Sequence, residues 1–333
     1  MSEQINNKLL ELLACPECGT AFTHSGMESN GLCCPGCHRV YGISGGIPLL
    51  IPDDTDMTHI EEEEKLGELM ADHIPSGGEI FHEQQWKNSK KEYWDFVRKE
   101  LKGLRTDRIE PTDTGELTGS RELVVLNVGC GLDTGFLDLV SQKSLSEGSS
   151  GRDLMLVAFD LMQSLLESLR DDYQSRFNVA GAVQALPFAD NTFDCVCCID
   201  LIHHEPDLLE KMLSSFFRIL RPGGILILED INAWGLFQFW KSILLPRPVH
   251  GVLRSLFHRL RGSGHQPASY EFPTSVFRVR KILLDSGFTE VTPVPQAAYP
   301  NICPAGYSLF RTLSRLKRIV TYHNFHYMLR AIK

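Results

Sequence analysis

The sequence predicts an α/β protein, an open and mainly parallel sheet with a small cysteine-rich unit ahead of it. Three observations carry that expectation. Residues 123–135, LVVLNVGCGLDTG, join a run of apolar and β-branched residues to a glycine turn, and an apolar helical spacing (Phe136, Leu137, Leu139, Val140) follows. Further apolar runs at 154–159, 195–199 and 225–229 alternate with helical patterns, as in a sheet covered on both faces. Near the start, two C-P-x-C units stand 15 residues apart, Cys15-Pro16-Glu17-Cys18 and Cys34-Pro35-Gly36-Cys37.

Composition sets the limits. With 333 residues and 43% hydrophobic content, the chain can bury a full-sized core plus one small module. It has no run of eighteen apolar residues, so no spanning helix is expected. The stretch MSEQINNKLLELL lacks the basic flank and apolar core of a signal peptide. Ten cysteines in a chain without an export signal, four of them in paired C-x-x-C units, read as metal ligands in a reducing cytoplasm rather than as disulfides. The net charge of −9 conceals an asymmetry: residues 231–333 hold 14 Lys and Arg against three acids, and residues 1–230 hold 19 against 39. Such a split fits either a C-terminal third facing an anionic partner or complementarity between the two parts.

The first unit is residues 8–53. A C-x-x-C knuckle presents two thiolates from one tight turn, so Cys15, Cys18, Cys34 and Cys37 are the four soft ligands expected of a tetrahedral structural zinc. About 45 residues bury too little apolar surface to fold readily alone, so a metal staple is physically expected. Cys33 breaks the knuckle geometry and is left out. LLACPECGTAF, GLCCPGCHRVYGISGG and IPLLIPDD resemble the zinc-ribbon family typified by the small activator subunit of tRNA and protein methyltransferases. The resemblance implies a structural Zn2+ and a module that supports structure or docks a partner.

Residues 54–120 are read as a linker and helices covering a ligand pocket. The segment 53–78 is acidic and broken by Pro75 and Gly77-Gly78, with one short helix around 61–71. Residues 81–101 form an amphipathic helix through Trp86, Tyr93, Trp94, Phe96, Val97 and Leu101, with Trp94 either in the core or beside a ligand. Residues 105–121 are a polar connection.

The third unit, 121–333, carries the chemistry. A strand, a glycine turn and a helix start let backbone amides approach a ligand that no side chain obstructs. Asp160 closes the second apolar run, where a nucleotide-like ligand needs an acceptor for its ribose hydroxyls. LPFADNTFD (186–194), Asp200-Leu201-Ile202-His203-His204, a helix over 207–220, and Arg221-Pro222-Gly223-Gly224 follow in order. This series resembles class I S-adenosylmethionine-dependent methyltransferases over residues 121–230 and, more loosely, beyond. The resemblance implies a Rossmann-like seven-stranded sheet, parallel with a terminal antiparallel hairpin, here placed at 290–294 and 325–332. It also implies S-adenosyl-L-methionine as cofactor. Gly129, Cys130 and Gly131 would border its methionine and ribose, and Asp160 with Leu161 its ribose hydroxyls. Ala182, Val183 and Gln184 would edge the adenine, with Asp200 and Leu201 on the floor.

Three positions depart from the family pattern. Asn127 replaces an acid, Asp133 a third glycine, and Ala182 an adenine-facing acid that Gln184 could replace. With a sulfonium as electrophile, catalysis is in-line positioning plus a base, and His203, His204 or Asp200 is the candidate. The other reading, slightly favoured, is that the His-His pair only shapes its loop. Cys195, Cys197 and Cys198 read as small core residues.

Residues 231–270 form an insertion free of acids. Leu236, Phe239, Trp240, Ile243 and Leu244 keep helical spacing, as do Leu253, Leu256, Phe257 and Leu260, among Lys241, Arg247, Arg254, Arg259 and Arg261. Basic amphipathic helices of this kind suit peripheral membrane contact at the inner face of the membrane, or a lid. The leading expectation is a cytoplasmic methyltransferase with a small-molecule or lipid-linked substrate. An enzyme modifying rRNA or tRNA fits less well, because the first 230 residues are acidic and the ribbon is not basic. A non-catalytic binding module with the methyltransferase fold is the reading from another class. Nothing in the sequence sets the oligomeric state.

Overall fold

The computed structural model describes residues 5–23, 26–28, 31–55, 80–106, 122–131, 154–168, 176–235, 272–296, 321–324 and 326–333. The apolar runs become the middle of one sheet. Strands β5 (Leu123–Val128), β6 (Leu154–Asp160) and β8 (Phe193–Ile199) are buried at every residue, as continuous apolar runs require when both faces are covered. With β7 (Arg176–Gly181), β9 (Leu220–Ile231), β10 (Glu290–Val294) and β11 (His326–Ile332) they form seven strands in the order β7-β6-β5-β8-β9-β11-β10. Pairing is parallel from β7 to β9 and antiparallel for β9–β11 and β11–β10. The Rossmann-like sheet with its terminal hairpin is therefore present.

The chain leaves β5 toward β6 on one side, while β8 lies on the other. This reversal of strand order opens a crevice at the carboxyl ends of β5 and β8, where α/β sheets hold their ligands. The turn after β5 is Gly129–Gly131, and the turn after β8 begins at Asp200.

Helix α2 (Ile80–Thr106) is longer at both ends than the sequence pattern. Tyr93, Trp94, Val97 and Leu101 pack on one sheet face with Val125, Leu156 and Ile227. Trp94 is 2% exposed and belongs to this core. Buried Tyr93 Oη donates to Ile227 O at 2.8 Å and accepts from Cys198 N at 3.1 Å, so its polar tip is satisfied by the sheet backbone. On the opposite face lie α4 (Leu209–Ile219) and α5 (Val276–Asp285), which bury Met212, Leu213, Phe216, Val279 and Leu283.

The structure corrects several boundaries. Helix α4 stops at Ile219 because Leu220 is already extended and pairs with Phe193, and the Arg221–Gly224 segment sits at a register shift within β9. Strand β7, helix α5 and the short helices α3 (Gln163–Ser168) and 3-10 Val183–Ala185 were not anticipated.

The cysteine unit begins with α1 (Asn7–Leu10) and continues as β1 (Met27–Glu28), β2 (Gly31–Cys33), β3 (Val40–Ser44) and β4 (Ile47–Leu50). It is joined to the sheet instead of hanging from it. β4 runs parallel to β7 through Leu49↔Ala180 and Leu50↔Gly181, extending the sheet at that edge. Ala14 N donates to Pro187 O at 2.9 Å and Ala189 N to Leu12 O at 3.0 Å. Leu9, Leu13, Phe22 and Leu32 share one buried cluster with Val157 and Phe188.

Among the described residues no helix is long and apolar enough to cross a membrane. The helix expected at 61–71, the pattern at 136–140, Asp133 and the amphipathic spacing of 236–270 lie outside the described residues.

Candidate active site and metal centre

The four cysteines meet as their spacing predicts. The Sγ atoms of Cys15, Cys18, Cys34 and Cys37 all lie within 4.8 Å of one another, and Cys33 is not among them. Cys15 Sγ is 3.6 Å from Cys37 Sγ, and Cys18 Sγ is 3.5 Å from Cys34 Sγ. Contacts with Thr20, whose Oγ1 lies 3.3 Å from Cys18 Sγ, bring the Cys18 thiol down to about 6. Tyr41 Oη reaches Cys15 Sγ at 3.2 Å, a further hydrogen bond to a prospective ligand. Four sulfurs converging from two tight turns fit a closed tetrahedral zinc site, which leaves no open position for catalysis.

At the crevice, Gly129 and Gly131 both take positive φ, +65° and +48°. Gly129 N and Cys130 N donate to Phe159 O at 2.8 and 3.1 Å, tying the turn to the end of β6. Half a turn on, Gly131 N donates to Asp160 Oδ2 at 2.8 Å, and Met162 N to Asp160 Oδ1 at 3.0 Å. The structure thus brings Asp160 against the glycine turn, beside half-buried Leu161. Leu201 packs over Gly129 from the β8 side. Ala182 is buried at the start of the 3-10 turn, and Gln184 Nε2 donates to Thr55 Oγ1 at 3.4 Å. Asn127 is fully buried on β5, and among the described residues neither amide atom has a hydrogen-bond partner. An unsatisfied buried amide costs about 1–3 kcal/mol, so the folded chain leaves a polar demand beside the turn. Open backbone at Gly131, an acceptor carboxylate and an unpaired buried amide suit the ribose and amino-acid ends of S-adenosylmethionine.

Across the crevice, charged groups converge on the turn after β8. Asp200 has φ +51°, a left-handed backbone that a non-glycine residue adopts only where its surroundings enforce it. Its Oδ2 lies 2.9 Å from Lys90 Nζ of α2, and its Oδ1 3.5 Å from His326 Nε2 of β11. Burial pushes the Asp200 carboxyl up, but Lys90 and His326 outweigh it and hold the group well below the usual carboxylate range. Burial pushes His326 down, against the pull of Asp200. His326 Nδ1 is 3.6 Å from Glu229 Oε1. His203 is buried, with Nδ1 2.7 Å from Oδ1 of fully buried Asp230, whose Oδ2 accepts from His203 N at 3.2 Å. His204 is half-buried, its ring centroid 4.2 Å from that of His203.

Lys90, Asp230 and His326 were missed from the sequence. Asp230 had a signal, since Glu229-Asp230 ends an apolar strand at the carboxyl edge. Lys90 and His326 had none, because only the fold brings their elements to Asp200. A separate cleft of about 470 Å3 lies between the first knuckle and α4, lined by Cys15, Gly19, Gln184, Lys211 and Arg218. It contains neither the glycine turn nor the histidines.

Turn, carboxylate and carboxyl-edge histidines on this strand order are the arrangement of a class I S-adenosylmethionine-dependent methyltransferase. The comparisons agree. Residues 126–228 match the methyltransferase domain family, and residues 6–46 match Trm112p-like proteins. The ubiquinone/menaquinone biosynthesis C-methyltransferase UbiE of Cronobacter sakazakii is 31% identical over 189 residues, 54% of this chain and 68% of its own. Methyltransferase GfsG of Streptomyces halstedii is 34% identical over 113 residues, 33% of this chain and 38% of its own. Among solved structures, the DszA carbon methyltransferase overlaps with a TM-score of 0.45 at 17% identity, covering 72% of this chain and 53% of that one. The chain belongs to the UbiE-like family of S-adenosylmethionine-dependent methyltransferases, with a small molecule as methyl acceptor and a Trm112p-like zinc ribbon at its N-terminal end. The enzyme reading thereby displaces the non-catalytic module.

Proposed function

We propose that the crevice methylates a carbon of a small, lipid-linked acceptor, with His203 as the base that removes the acceptor's proton. The observation that carries this is the His203–Asp230 pair, 2.7 Å between Nδ1 and Oδ1, at the carboxyl edge beside the glycine turn. The buried carboxylate holds the proton on Nδ1 and leaves Nε2 as the basic atom of the ring. Asp200 is the weaker base, since its carboxyl is held low beside Lys90 and His326. Its part is to hold the floor of the site and to fix α2. The names of the UbiE relatives point to carbon methylation in ubiquinone and menaquinone biosynthesis, which suggests a prenylated phenol or quinol as the acceptor class.

Asp160 would accept hydrogen bonds from the ribose hydroxyls beside Leu161, and Gly129, Cys130 and Gly131 would border the ribose and methionine. Asn127 meets the amino-acid end, while Ala182, Val183 and Gln184 edge the adenine and Leu201 lies on the floor. When bound, S-adenosylmethionine supplies an activated methyl group on sulfur. The acceptor carbon would take that methyl as its bond to sulfur breaks, S-adenosylhomocysteine would leave as the neutral thioether, and His203 Nε2 would take the proton the acceptor carbon loses. The ribbon, the helices before β5 and the sheet from residue 121 onward act as scaffold, cover and catalytic unit.

The test uses methyl-labelled S-adenosylmethionine and a prenylated quinol lacking a ring methyl, with label counted in the organic phase. His203→Ala should lower kcat by about 100- to 10,000-fold and leave cofactor affinity within a factor of about three. Full turnover by the variant would remove His203 from the reaction, and no cofactor binding by the wild-type chain would overturn the proposal.

A further inference from the structure

Three segments bring exposed Trp234 and Phe277 and half-buried Tyr322 together beside this carboxyl edge, with exposed Phe272 five residues before Phe277. Trp234 follows β9, Phe272 and Phe277 flank the start of α5, and Tyr322 lies just ahead of β11. Trp234, Phe272 and Phe277 are 45%, 51% and 49% exposed. The Trp234 and Phe277 rings meet edge-on with centroids 6.0 Å apart, and Phe277 stacks flat on Tyr322 at 5.5 Å and 8°. Trp234 Nε1 donates to Ser275 Oγ at 2.9 Å, and Asn232 Nδ2 donates to Tyr322 O at 2.9 Å. The rings are held as a platform rather than scattered singly, and a contiguous exposed apolar patch marks an interaction surface.

Charge and position say what the surface meets. Residues 236–271, which run between Trp234 and Phe272 in the sequence, hold five Lys and Arg and one acid, and residues 231–333 carry a local charge of +11. Phe272 N donates to His203 O at 3.1 Å, and Thr274 N to Ile231 O at 3.0 Å, so the stretch of chain that leads into α5 and its Phe277 passes from His203 along the end of β9. A Trp and a Tyr in a part of the sequence with this excess of Lys and Arg match the composition of a face that sits at a lipid–water boundary.

We propose that the Trp234–Phe277–Tyr322 platform, with Phe272, rests on the surface of an anionic lipid bilayer and receives a lipid-soluble acceptor from it next to His203. This rests on the reading of a lipid-linked substrate and adds the surface through which that substrate arrives.

The test is flotation of the full chain with vesicles of phosphatidylcholine alone or mixed with phosphatidylglycerol, together with calorimetric titration of S-adenosylmethionine on the same preparations. The wild-type chain should float with the mixed vesicles, more weakly as salt is raised. A Trp234→Ser, Phe277→Ser variant should lose about tenfold in vesicle partitioning for each ring removed while binding cofactor normally. Phe272→Ser, a single change at an exposed position, serves as a milder variant in case the double one folds poorly. No flotation by wild type, or equal flotation by the variants, overturns the platform. In either case intact cofactor binding leaves the methyltransferase reading standing, whereas flotation without cofactor binding would overturn that reading and the delivery of an acceptor with it, leaving only the bilayer contact.

Discussion

Gly129→Ala separates two roles that the glycine turn combines. Its φ of +65° would cost an L-residue about 1–2 kcal/mol by itself. An added Cβ would also stand 2.8 Å from Leu201 Cδ1 and 3.0 Å from Cδ2, a clash that adds about 1–3 kcal/mol. Leucine methyl groups can shift, so the steric part belongs near the lower end and the total near 2–3 kcal/mol. Gly131→Ala is the control: φ is +48°, yet nothing lies within 4 Å of its added Cβ, so only the backbone cost remains, about 1–2 kcal/mol. That open space is where the cofactor should approach, so Gly131→Ala should weaken S-adenosylmethionine by about tenfold or more. The assay is denaturant unfolding of both variants, of Leu201→Ala and of Gly129→Ala, Leu201→Ala, alongside calorimetric titration of the cofactor. Because Leu201→Ala removes the clash, the double variant should recover about 1 kcal/mol relative to additivity. Strict additivity would refute the steric argument, and unaltered cofactor affinity in Gly131→Ala would refute the placement of the ligand.

Two further predictions concern the ends of the same architecture. The purified chain should carry about one zinc, and Cys34→Ser should abolish it. Amide exchange at Ala180 and Gly181, which pair with β4, should then accelerate; unchanged exchange there would show that the ribbon edge holds without the metal. Lys90→Met removes the main partner of Asp200, whose side chain is only 23% exposed, and should cost about 2–4 kcal/mol at neutral pH. The Asp200 carboxyl is depressed in the folded chain, so its contribution is complete above its ordinary value of 3.8 and is lost only as pH falls through the lower folded value. In the variant Asp200 titrates higher, so the difference between the two proteins should shrink as pH falls below about 4. A difference that stayed constant with pH would deny the ion pair its role.

The parts of this fold legible in the sequence were those with a local signal. β5, β6 and β8 could be read because strands buried on both faces are continuous apolar runs, and the zinc cluster because each knuckle is four residues long. Asp160 was legible through its place at a strand end. β7 was missed because its first half sets Phe177 between Arg176 and Asn178 and is only half-buried, so it carries no unbroken apolar run. The charged cluster was hidden for another reason: Lys90, Asp200 and His326 come from three elements more than a hundred residues apart, and only the antiparallel return of β11 brings His326 to the carboxyl edge. His203 was named from the sequence and Asp230 was not, because their pairing depends on β8 and β9 ending side by side.

The two edges of the sheet explain why the ribbon is joined to it. An open edge strand offers unpaired backbone groups to any other chain, and a sheet must cover or blunt that edge. At the β10 side the strand is short and carries Pro293, which has no amide hydrogen to donate, together with exposed Glu290 and Thr292. β7 has no such device, since its last three residues are apolar or glycine and buried. Its protection is β4, which reaches it at Leu49 and Leu50 only because β3 and β4 are folded back beside the four cysteines. The same docking sets Ser44 2.8 Å from Gln163 Nε2 and Thr55 3.4 Å from Gln184 Nε2. A metal-stapled module too small to build its own core thus completes the sheet edge, shares the core beneath it, and lines up against Gln163 and Gln184, the second of which is proposed to border the cofactor.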